Sequence, residues 1–153
     1  MRAFCLAVAL TITLLPGPGA LAQQEHSKKP PKYKVAFRYP QFQRNPLWLN
    51  ISIKKKHANR DDLLALAKRL GTDLSNFESV MVFILDEHRQ AKSYHPGRIN
   101  DDVCEDDCRR ALGAAYSFDR SKGEHYLELY EPYEAGKKRE SVRIDLGAVP
   151  AAN

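Results

Sequence analysis

The sequence predicts an α+β fold. It is a single domain with one mixed or antiparallel sheet of five to six strands, a βαβ unit, a C-terminal β-meander, and two or three helices packed on the sheet. Three observations predict this. Short runs alternate apolar and polar residues at period two. One strongly amphipathic segment of helical period lies between two of those runs. The last third repeats strand, turn and strand. The chain has 153 residues, 43% hydrophobic and 28% charged, which suits one globular domain and excludes wholesale disorder. No collagen period, long heptad pattern or 20–50-residue repeat is present.

Residues 1–22 read as a secretory signal. Arg2 is a minimal basic start, and Ala3 to Leu15 is an apolar run broken by Thr11 and Thr13. Pro16 to Gly19 break any helix, and Ala20-Leu21-Ala22 offers a small-x-small cleavage site. The run falls short of the about 20 apolar residues a span requires, so no transmembrane segment is expected in the mature chain. A secreted or periplasmic location after cleavage near Ala22 follows.

Gln23 to Lys32, with Lys28-Lys29-Pro30-Pro31-Lys32, reads as a flexible basic arm. The domain proper is expected over 33–147. Tyr33, Val35, Phe37 and Tyr39 alternate with Lys34, Ala36 and Arg38, a strand signal. Leu47, Leu49, Ile51 and Ile53 alternate with Trp48, Asn50, Ser52 and Lys54, a second and clearer one. A helix over 60–70 comes next. Asn59 suits its N-cap, and Asp61 and Asp62 favour the positive end of its dipole. Leu63, Leu66, Ala67 and Leu70 form one stripe, and Gly71 is placed to close the helix in the left-handed conformation. Val80 to Leu85 is apolar without alternation, as in a strand buried on both faces. Strand, helix and strand make the βαβ unit.

Glu87 to Tyr94 is expected as a short helix ended by His95-Pro96-Gly97, and a further helix runs from Asn100 or Asp101 through Arg110. Ala114, Tyr116 and Phe118 alternate into a turn over Asp119 to Gly123. His125, Leu127 and Leu129 continue the meander, and Val142, Ile144 and Leu146 close it. Residues 148–153 read as a loose tail.

Charge is divided along the mature chain. Residues 23–60 hold ten Lys or Arg and one acid, a net of +9, while 61–153 hold 13 basic and 18 acidic residues, a net of −5. That pattern is a localised basic region on an acidic body. It does not describe a cationic coat for nucleic acid, and no nucleic-acid motif is present.

The sharpest local reading is an anion site. Lys54, Lys55 and Lys56 lie between a strand end and a helix N-terminus at Asn59, where free N–H groups and cations favour an anion. Asp86 and His88 leave the neighbouring strand on the same edge, where open sheets usually bind ligands. They are the candidate catalytic residues of a small hydrolase, although no nucleophile elbow or dehalogenase-type aspartate pair accompanies them.

Cys104 and Cys108 are an even pair in an exported chain and are expected to form a disulfide. Helical i, i+4 β-carbons lie about 5–6 Å apart and a disulfide wants about 3.8 Å, so the turn between them must tighten. The surrounding acids oppose a reactive thiolate. Arg109 stands where copper-binding CxxxC proteins carry proline. The acidic run 100–107 lacks the glycine of a calcium loop, and the five histidines form no zinc spacing. No metal and no cofactor are expected.

The stretch from Leu47 to Leu146 resembles a loose group of small exported bacterial α+β proteins of unassigned function. It does so through Leu49, Ile51 and Ile53, the DLLALAKRL helix Asp62–Leu70, and Val82-Phe83-Ile84-Leu85-Asp86. Ala91-Lys92, Ala115-Tyr116 opening a hairpin, and the closing strand complete the likeness. The resemblance implies export and an α+β fold and brings no catalytic residues. An exported binding or interaction module is expected, with an anionic envelope component or a protein as partner. A small hydrolase and an envelope structural protein without a small ligand are the competing classes.

Overall fold

A computed structural model describes residues 29–39, 46–95 and 105–152. The leader 1–22, most of the arm, Cys104 and the expected helix start at 100–103 lie outside the described residues. The elements are β1 (Lys34–Arg38), β2 (Leu47–Ser52), α1 (Arg60–Asp73), β3 (Ser79–Leu85), α2 (His88–Ser93), α3 (Glu105–Ala111), β4 (Leu112–Asp119), β5 (Glu124–Tyr130) and β6 (Ser141–Asp145).

The six strands form one mixed sheet in sequence order, β1 to β6. β2 and β3 run parallel, from Leu47 opposite Val80 to Ser52 opposite Leu85, and α1 carries the crossover between them. All other neighbours are antiparallel. The apolar run of β3 is explained by this arrangement, because helices lie on both faces of the strand. On one face Leu63, Leu66, Ala67 and Leu70 of α1 pack with Leu49, Ile51, Val80, Val82, Tyr116, Phe118 and Leu127. On the other, Phe83, Leu85 and Ala115 pack with Ala91 of α2 and with Ala111 and Leu112 at the α3–β4 junction. No helix among the described residues is long and apolar enough to cross a membrane.

Helix α1 begins as expected. The Asp62 N–H donates to Asn59 Oδ1 at 3.1 Å, which satisfies one of the free donors of the first turn. Its end differs from expectation. Gly71 lies inside the helix, which continues to Asp73 and is capped by Leu74. The reason is packing. A Cβ at Gly71 would lie 3.0 Å from the Tyr116 hydroxyl and 3.1 Å from Pro150 Cγ. The glycine admits β4 and the C-terminal segment to the helix surface and does not end the helix.

That segment is tied down. His125 Nδ1 lies 2.9 Å from Ala148 O, and His125 Nε2 lies 3.2 Å from the Tyr116 hydroxyl. The imidazole with its proton on Nδ1 satisfies both, donating to the carbonyl and accepting from the tyrosine. Leu146 and Val149 pack against the α1 core. Gly123, at φ +66°, makes the β4–β5 turn in the left-handed region that favours glycine.

Asn50 is a polar side chain buried in the sheet, 0% exposed. Its amide donates to Ala91 O at 2.8 Å and to Tyr94 O at 2.7 Å, two carbonyls of the α2 C-terminal end. The Tyr39 hydroxyl shares its proton between Tyr94 O, at 2.7 Å, and Asn50 Oδ1, at 3.1 Å. Orphan helix carbonyls are thus satisfied from β2 and from Tyr39, the residue after β1, which fixes α2 over that part of the sheet. The fixing matters because α2 opens with His88.

Candidate functional site

The parallel pair ends at Ser52 and Leu85, and both chains leave the sheet at that end. The Ile53 N–H donates to Leu85 O at 2.9 Å, carrying the pairing one residue further. Lys54 then leads into a 3-10 turn, Lys55–His57, before α1. On the neighbouring strand the Asp86 N–H donates to Ala111 O at 2.9 Å, and Glu87 precedes α2. Lys54–Lys56 and Asp86–His88 therefore lie at one end of adjacent strands.

Lys54, Lys55 and Lys56 are exposed. Lys34, the first residue of β1, is paired opposite Ser52 and is also exposed. The antiparallel pairing of β1 with β2 thus brings a lysine of the N-terminal basic run to the end of the sheet from which Lys54–Lys56 depart. The sequence shows two basic runs, and their joining is a product of strand direction.

Burial pushes the Asp86 carboxyl above its ordinary range, the Lys55 ammonium pulls it back, and Glu87 adds to the rise. Asp86 and Lys55 are close enough to feel each other electrostatically. His88 Nδ1 lies 2.8 Å from Ser52 Oγ. Ser52 is 6% exposed, whereas His88 is exposed. Sequence reasoning selected His88 and missed Ser52. The period-two alternation placed Ser52 on the face opposite Ile51 and Ile53, and the partner 36 residues away follows only from how α2 packs.

Asn59 is engaged as a cap. Its Oδ1 takes the Asp62 N–H, and its amide donates to Lys56 O at 3.2 Å and to Asp62 Oδ2 at 3.0 Å. Asp62 is 3% exposed, and His57 Nδ1 lies 2.8 Å from its Oδ2. A carboxylate with its own partners therefore occupies the first turn of α1. Lys54, Lys55, Lys56 and Arg60 are exposed cations at this edge.

The other candidates lie elsewhere. Cys108 is 3% exposed on α3, with Sγ 3.3 Å from Gln90 O, and Cys104 is outside the described residues. The His95 ring packs edge-on against Phe37 and Tyr39, with centroids 5.0 and 5.8 Å away. Among the described residues no three His, Cys, Asp or Glu side chains group to hold a metal ion.

No family model, no curated protein and no solved structure matches this chain.

Proposed function

We propose that the chain is an exported binding module, secreted or periplasmic, that docks an anionic envelope surface on the lysine-bearing end of its sheet. The observation that carries this reading is the register of β1 on β2. Lys34 stands opposite Ser52, so it joins exposed Lys54, Lys55 and Lys56 at one edge. Basic clusters of this size attract anionic surfaces at about 1 kcal/mol per lysine, within a Debye length. The leader residues support export, and an oxidising compartment supports a Cys104–Cys108 disulfide within the same reading.

Co-sedimentation with phosphatidylcholine vesicles with and without phosphatidylglycerol tests it. Binding is expected only to the anionic vesicles, and it should weaken steeply with salt. Lys54/Lys55/Lys56→Ala should lose about 3 kcal/mol, roughly a hundredfold in affinity. Equal binding to neutral vesicles, or no effect of the triple substitution, overturns the reading. An envelope structural protein without an anionic partner gives that second result.

The hydrolase reading of Asp86 and His88 is favoured by one observation, the contact between His88 Nδ1 and Ser52 Oγ.

A further inference from the structure

We propose that Ser52 and His88 form a nucleophile–base dyad for carboxylic esters that carry an anionic group. The substrate class rests on the docking reading above, and the dyad itself rests on geometry. Ser52 ends β2 at the C-terminal edge of the parallel pair, the usual ligand side of such strands. Its hydroxyl lies 2.8 Å from His88 Nδ1, within the reach a nucleophile and its base require. The contact is not spent on local structure. Glu87 precedes α2 without a side-chain cap, and the imidazole of the first helical residue turns back to a strand 36 residues earlier. Three bonds anchor the other end of α2 to the sheet, from Asn50 to Ala91 O and Tyr94 O and from Tyr39 to Tyr94 O, so the position of His88 is braced. Ser52 is 6% exposed, and its partner His88 is exposed. Lys55, whose charge already acts on neighbouring Asp86, supplies positive potential at the same edge.

In the acylation step Ser52 Oγ attacks the ester carbonyl carbon as its proton passes to Nδ1 of neutral His88. The carbon–oxygen bond to the alcohol then breaks, and the alcohol leaves with that proton. Water adds to the acyl–Ser52 carbonyl and gives a proton to Nδ1. The carboxylic acid departs as Ser52 Oγ recovers the proton. The sum is ester plus water to acid plus alcohol. Lysines 54–56 hold the anionic group of the substrate beside the dyad.

Labelling of the purified full chain with an uncharged fluorophosphonate, read by peptide mass spectrometry, tests the dyad. One adduct on Ser52 is expected, absent in Ser52→Ala and formed at least tenfold more slowly in His88→Gln. His88 is exposed, so that variant leaves the core unchanged. No adduct on Ser52, or equal labelling of His88→Gln, overturns the inference. Hydrolysis of a 4-nitrophenyl ester with a free carboxylate should exceed that of 4-nitrophenyl acetate about tenfold in kcat/KM, and equal rates overturn the anionic class. Vesicle binding is a separate readout. Binding without a Ser52 adduct defeats the dyad and leaves the docking reading standing. An adduct without vesicle binding supports the dyad and defeats the docking reading.

Discussion

Gly71 and Tyr116 are in a contact that leaves no room for a side chain on the helix. A Cβ at Gly71 would lie 3.0 Å from the Tyr116 hydroxyl, which His125 holds from the other side. Replacing a helical glycine by alanine ordinarily gains about 1 kcal/mol. Here the tyrosine is fully buried and cannot retreat, so crowding should outweigh the gain. Gly71→Ala is expected to lose about 1 kcal/mol net by urea denaturation, within the range of overpacked cores. A more stable variant would show that Tyr116 and Pro150 yield at little cost.

Asn50 should be among the least replaceable polar residues. It is 0% exposed and bonded on both sides of its amide. Asn50→Leu removes the side-chain donor of the Ala91 carbonyl and leaves the Tyr94 carbonyl with the Tyr39 hydroxyl alone, and the expected loss is about 2–3 kcal/mol. Hydrogen exchange should quicken first in α2, because the lost bonds are what fix that helix to β2. Uniform acceleration over all elements would contradict this assignment.

Asp86 gives a pH dependence with a definite sign. Burial raises its carboxyl, so the folded chain holds a proton there that the unfolded chain releases. Between the ordinary aspartate range and the raised value the folded state binds more protons, and stability falls as pH rises through that window. Asp86→Asn removes the penalty. Its Tm should exceed that of the parent at neutral pH, and the difference should vanish below the ordinary aspartate range. A constant difference at every pH would refute the assignment.

Arg139 joins three pieces of backbone. Its Nε, Nη1 and Nη2 donate to Glu131 O, Arg109 O and Leu112 O, each at 2.6 Å. Its guanidinium carbon also lies 5.1 Å from the Tyr130 ring centre. Lysine has no planar fork to reproduce this set. Arg139→Lys is expected to cost about 2 kcal/mol, since charged hydrogen bonds are the stronger kind. Limited proteolysis should open the 131–140 segment first. An unchanged cleavage rate would show that the loop is held by other contacts.

The strands and α1 were legible because their periods are local. Leu47, Leu49 and Ile51 alternate along β2 and Leu63, Leu66 and Leu70 share one helical stripe, whereas the register break between Val35 and Phe37, which leaves Val35 43% exposed, has no local signal. The end of α1 was not legible, because a glycine that stops a helix and a glycine that admits a neighbour have the same local sequence. Asp62 showed the same limit. Its position predicts a dipole-favoured acid, and its burial against His57 depends on how the 3-10 turn folds back.

By itself the sequence determined the α+β class, the order of the elements, the βαβ crossover and the uneven division of charge. These depend on side-chain period and composition along neighbouring residues. Only the tertiary structure decided that Lys34 pairs opposite Ser52, that Ser52 meets His88, and that Pro150 packs on Gly71. Each of these pairs residues far apart in the chain, and strand direction, register and helix placement set such pairs.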